Sequence, residues 1–262
     1  KYKFQKKEIK SKLLNFLKKQ NIKYLDTAFD YKLTNNFVKD FNFKNFNIVT
    51  KFKLPKKKPN LYLKNFEKIV KNQKKIYNIK SFEAILLHDV NDLKTHYSKK
   101  IIEKLIEVKK KRLVKNIGVS IYDINDLNLV FSKFSPDIIQ LPLNVFDQRF
   151  LKSKWLRIIK NKRIKVQARS IFLQGSLLMK QSELQKSRLN TKLIDKIKIF
   201  ENWCKNKNIT RLEACINYVK HIKYIDHIIL GINNNDHLIE ILKALKIKKK
   251  FNLTKFAFTN KN

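Results

Sequence analysis

Glycine is nearly absent from this 262-residue chain, which has three glycines, four prolines, two cysteines and only 21 acidic residues against 60 basic ones. Each scarcity excludes something. The cysteines, Cys204 and Cys215, have no CxxC or Cys/His spacing and both sit in helical patterns, which excludes a disulfide framework and a structural metal and points to a reduced, cytosolic protein. No apolar run reaches 18 residues, so no membrane partner or spanning helix is expected. The start, KYKFQKKEIK, has charge but no apolar centre and does not read as a signal peptide. With so few glycines, Gly118, Gly175 and Gly231 are expected where no Cβ fits or where backbone approaches a ligand. The ligand reading is favoured for Gly231, since Gly-Ile-Asn-Asn-Asn runs into a helix N-terminus.

The formal charge of +39 raises the question of a polyanionic partner. The excess is overwhelmingly lysine, spread through the chain with Asn, Ile and Phe, while arginine is sparse. Nucleic-acid readers favour arginine for bidentate contacts. The lysine runs 56–58, 109–111 and 248–250 fall in loops or at helix ends. The pattern reads as the drift of an AT-rich genome, and no specific nucleic-acid partner is expected.

Helix and strand alternate along the chain. Helices are expected at 6–20, 34–41, 61–78, 98–113, 123–134, 148–161, 191–206, 210–221 and 236–246, and strands at 22–28, 46–51, 82–88, 115–120, 137–141, 164–170 and 225–230. Asp123, Asp147, and Asn234 or Asn235 are candidate N-caps. Residues 171–190 read as a long loop. Asn144, Phe146 and that loop are candidates to line a substrate mouth. The chain is long enough to bury roughly 75% of its unfolded surface. Alternation at this spacing argues a parallel sheet. The expectation is a single (β/α)8 TIM-type barrel domain over 1–246, lacking its first strand, with a basic, poorly ordered or peripheral tail over 247–262.

Asp26, Tyr31, Lys51 and His88 close or closely follow successive apolar runs, IKYLDTAFDY, FNIVTK and FEAILLHD. Reactive groups delivered from successive strand ends are how a (β/α) barrel builds an active site. As a set they can transfer a proton. A tyrosine of ordinary pKa about 10 is a poor acid at neutral pH, a nearby ammonium stabilises its phenolate, a carboxylate holds the ammonium, and a histidine orients a carbonyl oxygen.

In this order the motifs resemble the aldo-keto reductases, a family with bacterial, NAD(P)-dependent members. DTAFDY is similar to the family's DTAxxYG, IVTK to its strand-terminal TK, and AILLHD to its LLH segment. VKNIGVSIYD is similar to GKIRxIGVSN, DIIQLPLNVFDQR to QxxYNxxxR, ARSIFLQGSLL to YSPLxxGxL, and HIILGINNNDHL to IPGxxxxEQL. The resemblance covers nearly the whole chain. It implies an oxidoreductase that reduces an aldehyde, ketone or sugar carbonyl, a small-molecule substrate, with NADP(H) or NAD(H) as cofactor and no metal. Tyr31 would be the general acid, Lys51 its tuner, Asp26 the holder of Lys51 and His88 the carbonyl guide. Ser120 and Gln140 would bond the nicotinamide carboxamide. Arg169 would stack on the ring in place of an aromatic residue. Ser170, Phe172 and Gly175 would line the pyrophosphate, and Gly231, Asn233 and His237 the adenosine phosphate. The family's first strand is not found in the sequence. Lys32 stands for a Gly, Ile121 for an Asn, and Asn233 for a basic residue. These departures motivate an alternative, a non-catalytic nucleotide-binding relative acting as a sensor or partner subunit.

Overall fold

The computed structural model describes residues 15–31, 43–232 and 234–258. Of the expected helix 6–20, residues 15–19 are helical; the expected helix 34–41 and the residue Asn233 lie outside the described residues. Seven strands follow the expected order: β1 (Tyr24–Asp26), β2 (Asn47–Phe52), β3 (Phe82–Leu87), β4 (Val114–Ser120), β5 (Ile138–Pro142), β6 (Lys165–Arg169) and β7 (His227–Ile228). They form one sheet in chain order, and the pairs from β1 to β5 and of β6 with β7 are parallel. A doubly wound sheet reverses its strand order at a switch point. Sequential order is that of a (β/α) barrel, here with one strand fewer than eight among the described residues. The chain divides into two compact units, 1–140 and 141–262.

The helices are α1 (Pro59–Lys64), α2 (Phe66–Tyr77), α3 (Ser98–Lys110), α4 (Asp126–Lys133), α5 (Arg149–Lys152), α6 (Trp155–Asn161), α7 (Gln181–Gln185), α8 (Thr191–Asn206), α9 (Arg211–Lys220) and α10 (Asn235–Lys246). Where they differ from expectation, a polar side chain is bonding backbone. The helix expected over 61–78 breaks at Asn65, whose Nδ2 donates to the Leu61 carbonyl at 2.9 Å. That expected over 148–161 breaks at extended Ser153, whose Oγ donates to the Phe150 carbonyl and accepts from the Trp155 N–H. Neither predicted aspartate caps its helix. Asp123 accepts from the Asn125 N–H in the preceding turn, and Asp147 pairs with Arg149. Asn234 does cap α10, accepting from the His237 N–H at 2.8 Å. The expected loop 171–190 contains a 3-10 turn, Leu173–Leu178, and α7.

Glycine scarcity shows at helix ends. Helices α3, α6 and α8 each close with the paired bonds of a Schellman motif, for example Leu113 N–H to the Val108 carbonyl and Arg112 N–H to the Lys109 carbonyl. The left-handed position that glycine usually fills is taken by Arg112, Arg163 and Asn208, with φ of 54°, 59° and 52°. An apolar residue follows each, Leu113, Ile164 and Ile209, and Leu113 and Ile164 are buried as they enter the next strand.

One device recurs in both units. In the first, Asp137, just before β5, accepts from the Ile117 N–H of β4 at 2.9 Å and from Lys109 Nζ of α3 at 2.6 and 2.7 Å. In the second, Asp226, just before β7, accepts from the Val166 N–H of β6 at 2.7 Å and from Lys160 Nζ of α6 at 2.7 and 2.9 Å. Each aspartate thus ties a strand start to its neighbour and to the helix leading into that neighbour.

The interior face of the first unit holds Val49, Ala84, Leu86 and Ile138. In the second unit Phe146 is fully buried against Phe200, Phe256 and Phe258, which removes it as a lining residue of a substrate mouth. The expectation of a poorly ordered or peripheral segment fails for 247–258. Leu253 is buried and receives Gln148 Nε2 at its carbonyl, and the Phe258 N–H donates to the Phe146 carbonyl at 2.7 Å.

Candidate active site

Strand register alone gathers the predicted residues of the first unit. Asp26 pairs with Val49, and Lys51 lies two residues on, hence on the same face. Lys51 pairs with Leu86, two residues before His88, and Leu86 pairs with Gly118, two before Ser120, which pairs with Gln140. Asp26, Lys51, Ser120 and Gln140 therefore share one face of the sheet, at or toward the carboxyl ends of the strands. His88 follows on the same parity, and its N–H donates to the Phe52 carbonyl at 2.7 Å.

The side chains of Asp26, Lys51 and Gln140 meet. Lys51, 3% exposed, bonds Asp26 Oδ2 through its ammonium, and Gln140 Nε2 donates to Asp26 Oδ1 at 3.1 Å. Burying an ammonium requires such a partner. β1 and β5 are four strand steps apart, about 19 Å in a flat sheet at about 4.8 Å per step. A 3.1 Å bond between their side chains means that the sheet of the first unit curls round this face.

Tyr31 sits in the turn leaving β1. Its N–H donates to the Ala28 carbonyl at 3.2 Å, and the turn is tied to β2 by the Phe29 N–H on the Lys51 carbonyl at 2.8 Å. The residue is 49% exposed. Lys32 lies outside the described residues. Ile121 is buried, with its N–H on the Gln140 carbonyl at 2.9 Å.

Sequence reasoning did not find the ionic rim above these groups. Lys53, on the Lys51 parity, pairs with Asp89 at 2.6 Å, and Asp92 accepts from the Leu54 N–H at 2.9 Å. The Asp89 hydrogen bond and charge hold the Lys53 ammonium above its ordinary pKa. Burial opposes ionisation of Asp89, but bonds from Lys53 and the Asn91 N–H outweigh it and hold the carboxyl low. Burial pushes the Asp92 carboxyl up. The two-residue step from Lys51 to Lys53 was the available signal.

The remaining candidates lie in the second unit. Arg169 ends β6 and donates from its guanidinium to Ser170 Oγ at 3.2 Å. Ser170, Leu173, Gln174 and Gly175 all have positive φ within six residues. For residues other than glycine this costs about 1–2 kcal/mol each, and such strain clusters at ligand sites. Asn144, 1% exposed, clamps this loop rather than lining a mouth: Nδ2 donates to the Ser170 carbonyl while Oδ1 accepts from the Phe146 and Asp147 N–H groups. Phe172 of the loop lies 6.4 Å from the His237 ring at the start of α10. Asn235 Oδ1 and His237 Nδ1 there are buried with no hydrogen-bond partner among the described residues.

Gly118 is explained by packing, since an added Cβ would fall 2.1 Å from the Ile138 carbonyl oxygen. Gly175 is explained by its φ of +94°. Gly231 has open space around it. Burial pushes the Cys204 thiol up to about 12, away from thiolate chemistry. Among the described residues no group of His, Cys, Asp and Glu is arranged to hold a metal, and no helix is long and apolar enough to cross a membrane.

A parallel sheet of this order, with a Lys–Asp pair on its inner face, defines a barrel-type α/β protein. The model of the aldo/keto reductase family matches residues 1–254, and the chain belongs to that family, whose members are oxidoreductases acting on carbonyl compounds. Solved structures agree on the fold. The holo form of aldo-keto reductase AKR11C1 from Bacillus halodurans is 17% identical, with a TM-score of 0.71 over 95% of this chain and 84% of that one. The thermostable aldo-keto reductase Tm1743, in complex with the inhibitor epalrestat, is 19% identical, with a TM-score of 0.69 over 97% and 87%. No curated protein sequence matches the chain.

Proposed function

We propose that the protein reduces an aldehyde, ketone or sugar carbonyl to the alcohol with NADPH or NADH, Tyr31 acting as general acid. The observation that carries this is the Lys51–Asp26–Gln140 cluster, its lysine and glutamine buried, on the face that also holds Ser120 and leads to His88. The Tyr31 hydroxyl gives its proton to the carbonyl oxygen, and the Lys51 ammonium stabilises the phenolate left behind. Asp26 holds Lys51 in place, while the His88 imidazole orients the substrate oxygen. The nicotinamide cofactor, when bound, supplies the hydride to the carbonyl carbon.

The residues present fit that cofactor in two places. In the first unit Ser120 and Gln140 offer buried polar atoms to a carboxamide. In the second, Arg169 offers a guanidinium plane for stacking, and the strained loop with Ser170, Phe172 and Gly175 suits close approach to phosphate. The start of α10 offers Asn235 Oδ1 and His237 Nδ1, without a partner among the described residues, to the adenosine end, with Gly231 and Asn233 before them in the sequence. Tyr31→Phe is expected to abolish oxidation of NADPH or NADH across a carbonyl panel while nucleotide binding, followed by fluorescence titration, persists. Unchanged turnover would refute Tyr31 as the acid.

A further inference from the structure

We propose that Gln140 is a positioning residue for the acid–base machinery: its side-chain amide fixes the Asp26 carboxylate, and through it the Lys51 ammonium. This rests on the reading of Asp26, Lys51 and Tyr31 given above.

A carboxylate only accepts hydrogen bonds, so the atom of Gln140 that faces Asp26 must be the amide nitrogen. Asp26 then has one partner on each oxygen, Lys51 on Oδ2 and Gln140 on Oδ1. The two partners differ in rigidity. Lys51 is a four-carbon arm whose head is the group to be positioned. Gln140 is 1% exposed, and its backbone is locked by the Ser120 pairing and by the Ile121 N–H on its carbonyl at 2.9 Å. Asp26 needs such an anchor, because it ends a three-residue strand and remains half-buried. With Lys51 alone the carboxylate could turn about its own bond and carry the ammonium with it. A second bond from the middle of the sheet removes that freedom and fixes the geometry that the phenolate requires.

A role confined to holding the nucleotide amide has different consequences, and a double-mutant cycle separates the two. Gln140→Met keeps the length of the side chain and removes its donors. It is made alone and with Asp26→Asn, and kcat, nucleotide Kd and thermal midpoint are measured for each protein. Losing a hydrogen bond to a charged group is expected to lower kcat about tenfold or more in Gln140→Met, whatever its effect on nucleotide Kd. In the Asp26→Asn background the same change should lower kcat by less than about twofold, because coupled residues are non-additive. Tenfold weaker nucleotide binding with kcat retained, or a full further fall in kcat in the Asp26→Asn background, overturns the proposal. Unchanged kcat in Asp26→Asn alone overturns the active-site reading itself, and the inference falls with it. Should Gln140→Met not fold, Gln140→Asn, with its amide withdrawn by one methylene, should give the same pattern.

Discussion

Gly118→Ala tests the packing of the interior face with one methyl group. The new Cβ would lie 2.1 Å from the Ile138 carbonyl oxygen and 2.7 Å from Leu86 Cδ2, where real Cβ contacts stay above 3.0 Å. The Leu86 methyl can swing aside. The Ile138 carbonyl belongs to the backbone of β5, paired directly with Gly118, and can yield only if β4 and β5 part. The required shift, 3.0 minus 2.1, is 0.9 Å, and it would act two residues from the Ser120–Gln140 rung. Overpacking of this kind costs about 1–3 kcal/mol. At about 2–4 °C per kcal/mol for a chain of this size, the melting midpoint should fall by roughly 2–12 °C. Gly231→Ala is the internal control: nothing lies within 4 Å of its added Cβ and its φ is not positive, so it should stay within about 0.5 kcal/mol. Urea denaturation followed by circular dichroism, with a parallel thermal melt, measures both variants. Gly118→Ala as stable as the wild type, or Gly231→Ala equally damaged, would show that the strand spacing at this rung does not exclude a side chain.

Other perturbations follow from the same bonds. Asp226→Ala leaves the buried Val166 N–H without its acceptor and should cost about 1–3 kcal/mol, whereas Lys160→Met removes only a partly exposed ion pair and should cost less than about 1 kcal/mol. Equal losses in urea denaturation would contradict that ranking. Arg163→Gly relieves a left-handed residue at the end of α6 and should raise stability by about 0.5–1 kcal/mol; a lower urea midpoint would refute the strain assigned to it.

How much of this was legible in the sequence depended on the range of the interactions. The strands could be read because buried parallel strands appear as near-continuous apolar runs, FEAILL of β3, interrupted only at Glu83, being the clearest. The order of Asp26, Lys51 and His88 at their ends could be read with them. What escaped were bonds between residues far apart in the chain. Gln140 reaches Asp26 across 114 positions, and nothing in DIIQ distinguishes an amide that meets a carboxylate from one that meets a ligand. The helix breaks at Asn65 and Ser153 escaped because side-chain bonds to backbone overrode apolar spacing that continued through them. The segment 247–258 was misread for a different reason. Its lysines drew attention from Phe251, Leu253 and Phe256, which are buried.

The lysine excess also sharpens the meaning of each acid. With 21 acidic residues among 60 basic ones, a carboxylate that meets lysine is unremarkable, since lysine is everywhere. A carboxylate that also accepts a backbone or amide N–H is not explained by abundance. Asp137, Asp226, Asp89 and Asp26 are among those that pass that test, and these four divide by position. Asp137 and Asp226 stand at the amino ends of strands and hold backbone, which is where a (β/α) barrel keeps its stability. Asp26 and Asp89 stand at or just beyond the carboxyl ends. There Asp26 holds Lys51, which is 3% exposed, and Asp89 holds Lys53, two residues further on. These four acids therefore mark two separate positions, scaffold at the amino ends of the strands and the proposed chemistry at the carboxyl ends.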